Sequence, residues 1–300
     1  MHTSRREFLR NTTVAAGSAA ALGSFDTFCS TAVAEPAVAE APAPIRVKSG
    51  TEIVTLGKTG LKTSVLGIGC GTRGGREQRG VPEDGFDKVI RYAFDSGIRY
   101  IDTADAYKTH PYVNKALKEL PRDQVFLLSK STAKTAEKAQ EDIERLRSEL
   151  GVDQIDTLLI HCMTKKDWPT TMRPVIDVFL DAKRKGQIKA LGVSCHNIDA
   201  LDDAVACDDI ELHLVRINPF DLKMEGTHSE IAQRIAKMHE KNRGVLGMKV
   251  FGESGLNSPE ERLQSLKYVL GLGAVHAFTI GFHQTAHIDE TLKLIEQAAA

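Results

Sequence analysis

From Thr51 onward, short apolar runs alternate with longer stretches in which apolar residues recur every three or four positions. The runs "SVLGIGC", "RYIDTA", "VFLLSK", "TLLIHC", "ALGVS", "LHLVRIN", "GVLGMKV" and "AFTIGF" read as buried strands, being short and rich in β-branched residues. Between them lie helical patterns such as residues 137–150 and 258–270. The latter opens with Ser258 as N-cap, Pro259 in the first turn and acidic residues behind it. Parallel βα units repeated in this way over about 250 residues predict a (β/α)8 TIM barrel. An open, doubly wound sheet is the alternative, though it seldom needs so many evenly spaced units. Ahead of the first run, "EIVTLGKTGLKTS" predicts a β-hairpin turning at Lys58-Thr59-Gly60, placed to plug the barrel floor.

The first fifty residues break the pattern. Arg5 and Arg6 precede the weakly apolar run "TVAAGSAAALGSF", and Ala32-Val33-Ala34 fits an A-x-A cleavage site. This order predicts a cleavable twin-arginine signal peptide over 1–34, a linker over 35–50 and the barrel over 51–300. It implies the Tat translocase as an export partner, a periplasmic or other extracytoplasmic location, and folding around a cofactor before export. The apolar run is too short and too small-residue-rich for stable membrane insertion.

Composition narrows the function classes. Of 300 residues, 42% are hydrophobic and 26% charged, as in an ordinary globular protein. A formal net charge of −1 gives no electrostatic case for nucleic acid. Five cysteines without a CxxC pair suggest neither a zinc site nor a dense disulfide framework.

A barrel binds ligands at the C-terminal ends of its strands. Successive runs end in Asp102, Lys130, His161 and Ser194, then in Arg216 and Asn218, and Tyr107 follows Asp102 on the loop over the same mouth. A phenol has a reference pKa of about 10. A nearby ammonium stabilises phenolate and lowers that value, so Lys130, kept charged by Asp102, is expected to poise Tyr107 as an acid. His161 can donate to a substrate oxygen or relay a proton. Together these groups suit a carbonyl that is protonated on oxygen while a hydride reaches its carbon.

On these residues the chain resembles the aldo-keto reductase superfamily. "LGKTGLKTSVLGIGCG", "GIRYIDTADAY", "VFLLSKS" and "DTLLIHC" are similar to the family's hairpin, first strand and the strands carrying its acid, lysine and histidine. The resemblance implies a catalytic set of Asp102, Tyr107, Lys130 and His161, with Tyr107 as general acid in reduction and base in oxidation. It also implies a small-molecule carbonyl substrate and NADP(H), or less often NAD(H), lying extended across the mouth. Cofactor contacts are expected from Gly71, Ser194, Arg216, Met248, His287 and Glu290, with no metal.

Several positions depart from the family. Arg216 stands where a glutamine is common, Met248 where a tyrosine often stacks on nicotinamide, and Cys195-His196 follow Ser194 in place of the usual asparagine. After the last strand, "GFHQTAHIDETLK" offers His283 and His287 but no arginine for a 2′-phosphate, which imidazoles grip less firmly than a guanidinium does. NADP(H) therefore rests on the family pattern, and NAD(H) stays open. The chain stops soon after its last helical pattern, which predicts an open pocket shaped by "HCMTKKDWPTT" with Trp168. Cys162, next to His161, should face the other side of its strand and pack as a small hydrophobe. "GCGTRG" matches G-x-G-x-x-G, but the following "GREQRGVPEDG" predicts no helix until about Pro82, so it reads as a flexible loop by the nicotinamide. Two other classes compete: a Schiff-base lyase built on Lys130, and a non-catalytic nicotinamide-binding or redox-sensing subunit.

Overall fold

The computed structural model describes residues 41–82 and 85–300. The expected signal peptide, its cleavage site and residues 35–40 of the expected linker lie outside the described residues. Two short strands, β1 (Ile53–Thr55) and β2 (Lys62–Ser64), form the antiparallel hairpin read from the sequence, with Ile53 opposite Ser64. Its turn is one turn of 3-10 helix over Gly57–Thr59, closed by Gly60 at φ 69°, a left-handed position that glycine adopts without strain.

Eight parallel strands follow: β3 (Leu66–Gly69), β4 (Tyr100–Asp102), β5 (Phe126–Ser131), β6 (Ile155–Met163), β7 (Ile188–Cys195), β8 (Leu212–Arg216), β9 (Gly244–Met248) and β10 (Ala277–Ile280). They close into a barrel in which β10 pairs with β3, Phe278 opposite Leu66 and Ile280 opposite Ile68. Closure removes the two edges that an open sheet would leave, and it decides for the barrel. The helices are α1 (Arg76–Arg79), α2 (Phe86–Asp95), α3 (His110–Leu117), α4 (Ala136–Leu150), α5 (Trp168–Thr171), α6 (Arg173–Arg184), α7 (Ile198–Ala206), α8 (His228–Glu240), α9 (Pro259–Gly271) and α10 (Thr285–Ala299). Ser258 caps α9 in a reciprocal capping box with Glu261, and Thr227 does the same for α8 with Glu230.

Packing separates two cores. Inside the barrel, Tyr100, Phe126, Leu128, Leu159, Leu212 and Leu246 fill the lumen, and Leu56 of the hairpin rises into them fully buried. The hairpin therefore plugs the floor, and only the other mouth is open to a ligand. Cutting Leu56 to alanine would cost roughly 2–5 kcal/mol by cavity formation. Outside, strand residues such as Ile68, Leu127 and Val193 pack against helix residues such as Ile90, Ile143 and Phe179. The first βα loop differs from expectation, because α1 forms a helical turn before Pro82. Gly75, at φ 78°, starts that turn, and buried Gln78 ties it back by donating to Thr72 Oγ1 at 2.9 Å. No helix among the described residues is long and apolar enough to cross a membrane.

Candidate active site

At the C-terminal ends of the strands lies a cavity of about 400 Å³, within the usual size of small-molecule sites. Of the residues expected at the mouth, Asp102, Tyr107, Lys130, His161, Gly71, Ser194, Arg216, Met248, His287 and Glu290 line it, whereas Asn218 does not, being fully buried and donating to the Leu222 and Lys249 carbonyls at 2.8 and 3.1 Å. Each strand contributes through its last residues, where the apolar lumen gives way to the rim.

Lys130 is fully buried, and its ammonium donates to Asp102 Oδ1 and, at 2.9 Å, to the Thr103 carbonyl. Thr279 of β10 donates to the other Asp102 oxygen at 3.3 Å. Burial alone would push Lys130 down; the charges of Asp102 and Tyr107 outweigh it and hold the ammonium above its usual range. The ammonium lies 4.7 Å from the centre of the Tyr107 ring. Tyr107 meets His161 edge to face at 5.6 Å. Burial, then the charges of Lys130 and His196, push His161 down to about 3, so it is neutral at physiological pH. One expectation is corrected here. Tyr107 is raised above the ordinary phenol value because burial outweighs the pull of Lys130, and Asp102 adds to the rise.

The turn that carries Tyr107 is a single 3-10 turn, Asp105–Tyr107, with little internal support. Arg145 of α4 supplies it, binding both Asp105 oxygens at 3.0 and 2.9 Å while also holding Asp142 and Glu149. Arg79 of α1 donates to the Tyr107 carbonyl. Gly71 faces the Tyr107 ring so closely that a Cβ there would collide with it.

Other residues at the site escaped the sequence reading. Arg262 of α9 lines the cavity and pairs with Glu290 at 3.3 Å, so a guanidinium does reach the end where the last strand's segment offered none. Arg216 is not a lone charge, since it pairs with the buried Glu225 at 3.1 Å and donates to His196 Nδ1 at 2.6 Å. Lys249 is paired with Glu253 at 2.5 Å. Trp168 corrects another expectation: it is 2% exposed, donates to the Ala200 carbonyl at 2.9 Å and packs in the outer core rather than shaping the pocket. Cys162 also departs from its expected apolar packing, with its sulfur 3.2 Å from His196 Nδ1.

A profile of the Aldo/keto reductase family matches residues 65–269, and the chain belongs to that family. It is 31% identical over 191 residues to the aldo-keto reductase YhdN of Bacillus subtilis, a match covering 58% of this chain and 56% of that protein. It is 24% identical over 203 residues to an NADH-specific methylglyoxal reductase of Escherichia coli, covering 60% of this chain and 61% of that protein. The chain thus spans little more than half the length of these curated relatives. Among solved structures, an aldo-keto reductase of Bacillus halodurans in its holo form superimposes with a TM-score of 0.67 at 17% identity, covering 83% of this chain and 95% of that one. A Pseudomonas aeruginosa chain assigned to the same family reaches a TM-score of 0.71 at 22% identity, covering 85% and 99%. These structures share its fold.

Proposed function

We propose that the protein is an NAD(P)H-dependent oxidoreductase that reduces aldehyde or ketone carbonyls to alcohols, with Tyr107 as the proton donor. The observation that carries this reading is the phenol of Tyr107 placed beside a buried Lys130–Asp102 pair and a neutral imidazole at one open mouth. A dinucleotide fits the residues present. His161 Nδ1 and Arg216 Nε are buried without a protein partner while their side chains line the cavity. When bound, the cofactor supplies the hydride to the carbonyl carbon. Ser194, Arg216 and Met248 would hold its nicotinamide end, and Arg262, His287 and Glu290 the adenosine end. Tyr107 stays protonated through neutral pH and gives its proton to the substrate oxygen as negative charge builds there. Lys130 steadies the phenolate left behind, and Asp102 keeps Lys130 charged and fixed. His161 donates a hydrogen bond to the same substrate oxygen.

The Schiff-base reading needs Lys130 as a free amine, and its buried pairing with Asp102 works against that. Arg262 is the guanidinium available for a 2′-phosphate, which supports NADP(H) first and NAD(H) as the measured competitor. Folded export by the Tat route remains part of the proposal, resting on Arg5 and Arg6; converting both to lysine should leave the chain in the cytoplasm.

The deciding experiment is a fluorescence titration with NADPH and NADH in parallel, followed by turnover with methylglyoxal, the substrate in the names of several relatives. Binding with turnover that is lost in Tyr107→Phe, at nearly unchanged cofactor affinity, is the expected result. Binding without turnover of any carbonyl would favour the non-catalytic nicotinamide-binding subunit. No binding of either cofactor would overturn the proposal.

A further inference from the structure

Arg216 ends β8 at the open mouth, and its contacts carry its charge to the reacting groups. Tyr107 meets His161 edge to face, the His161 and His196 ring centres lie 6.4 Å apart, and Arg216 donates to His196 Nδ1 at 2.6 Å. Tyr107, His161, His196 and Arg216 all line the cavity. His196 adds no charge of its own. Burial, followed by the charges of Arg216 and Lys249, pushes it down to about 4, so it is a neutral imidazole at physiological pH.

What sets Arg216 apart from other cations of the cavity is its counter-charge. Lys249 and Arg262 pair with Glu253 and Glu290, whose side chains are 21% and 39% exposed, so water shares in the compensation. Glu225, 3.1 Å from the Arg216 guanidinium, is 1% exposed, and its oxygens have no hydrogen-bond partner on another residue. The loop after β8 is folded to bring it there. Buried Asn218 accepts from the Phe220 and Leu222 amides, both at 3.1 Å, and donates to the Leu222 and Lys249 carbonyls. Asp221 and Lys223 both take φ 57°, which turns the chain back and lays Glu225 against Arg216.

We propose that Arg216 and Glu225 form a charge selector that discriminates the oxidised from the reduced cofactor, with Arg216 as the specificity-determining residue and Glu225 as the positioning residue behind it, an assignment that rests on the oxidoreductase reading above. The two redox forms of a nicotinamide dinucleotide share every phosphate and differ at the ring, which is cationic when oxidised and neutral when reduced. An uncompensated guanidinium at the nicotinamide end therefore weakens the oxidised form alone, and an ionised Glu225 behind it restores that form. With Glu225 protonated, the site keeps reduced cofactor and releases oxidised cofactor, the sense that carbonyl reduction requires. Burial raises the Glu225 carboxyl to about 7 against the pull of Arg216, so the change falls in the neutral range. Around Glu225, the Cys195 thiol at the end of β7 is pushed well up by burial and stays neutral. Asp203 of α7 and Glu230 of α8 accept from the Asp167 and Thr227 amides at 2.6 and 2.8 Å. In the same loop Asp221 pairs with His228 at 2.9 Å, and exposed Lys223 acts on Glu253.

The test measures dissociation constants of NADPH and NADH on the full chain by fluorescence, and of NADP+ and NAD+ by displacement of the reduced form, from about pH 6 to about pH 8.5. The ratio of oxidised to reduced dissociation constant within one cofactor pair cancels what the two forms share. In the unaltered protein that ratio should fall by about tenfold as pH rises across the range. Glu225→Gln should hold it at the low-pH value throughout, and Arg216→Gln at or below the high-pH value. At pH 7 the two variants therefore move the ratio in opposite directions, whereas a loosened pocket weakens both forms and moves both variants alike. The double variant Arg216→Gln/Glu225→Gln leaves no unpaired buried charge and should match Arg216→Gln, which keeps the test decisive where that single variant folds poorly. Reduced cofactor that binds with a ratio unmoved by Glu225→Gln overturns the selector, and so does a double variant that behaves like Glu225→Gln. Failure of all four cofactor forms to bind overturns the oxidoreductase reading and the selector with it.

Discussion

Replacing Lys130 with methionine tests the electrostatic core of the site. The substitution keeps an unbranched side chain of similar length in a fully buried place while removing the charge. At the 4.7 Å separation of Nζ from the Tyr107 ring centre, an ammonium and a full phenolate charge attract by about 3.5 kcal/mol at an effective dielectric of about 20, or roughly 400-fold in rate. Reduction of methylglyoxal by Lys130→Met should therefore fall by about two to three orders of magnitude in kcat, with cofactor affinity changed little. Asp102 is left buried without its ion pair, so it should take up a proton, and some stability is lost with it. The double variant Lys130→Met/Asp102→Asn removes both charges and controls for that. It should recover thermal stability but not turnover. A Lys130→Met enzyme that stays folded and loses less than about tenfold in kcat would refute the assignment of Lys130 as the charge that supports Tyr107.

Three other outcomes follow from the same geometry. Burial alone would raise Asp105, yet Arg145 and Lys108 bring it down to about 2; a depressed carboxyl contributes stability above its unfolded value near 4 that is lost as pH falls toward 2. Arg145→Gln should therefore move acid unfolding, followed by circular dichroism, to higher pH, and it should lower kcat more than it raises KM because the Tyr107 turn loosens. Gly71→Ala drives a methyl into the Tyr107 ring and should cut turnover by about tenfold or more with a small change in melting temperature; unchanged turnover would show that the phenol has room to move. Burial raises Glu225 to about 7 against the pull of Arg216, so its contribution is present below about 4.5 and is lost as pH rises to 7. Glu225→Gln removes that titration, and its melting temperature should gain on the unaltered protein between pH 5 and pH 8.

Much of this architecture is legible in the residue pattern because a barrel couples it to position. Once "RYIDTA", "VFLLSK" and "TLLIHC" are read as consecutive parallel strands, their last residues must share one rim, so Asp102, Lys130 and His161 converge with no further information. The hairpin was equally readable, since Gly60 marks its turn and Leu56 is the apolar residue beside it. Local capping chemistry at Ser258 followed from its neighbours alone. These features depend on sequence-near geometry or on a rule that holds for the whole fold.

What stayed hidden depends on tertiary reach and on the balance of opposing energies. Arg262 lies on α9, far in sequence from Glu290, and only the docking of α9 beside α10 delivers its guanidinium to the cavity. Trp168 looked like a pocket wall from its position after His161, but its indole found the Ala200 carbonyl and the outer core. For Tyr107 the sequence identified the right neighbours, and the sign still came out reversed, because burial is set by the closed barrel and exceeds the attraction of one ammonium that Asp102 already engages. Cys162 shows the limit most clearly. Alternation assigns a strand residue to a face only while the register is unbroken, and a single left-handed residue at the end of β6 moved a thiol from expected packing to contact with His196. His196 and Arg216, both departures from the pattern the resemblance implies, touch one another, so they are best read as one altered unit of the pocket wall and not as separate exceptions.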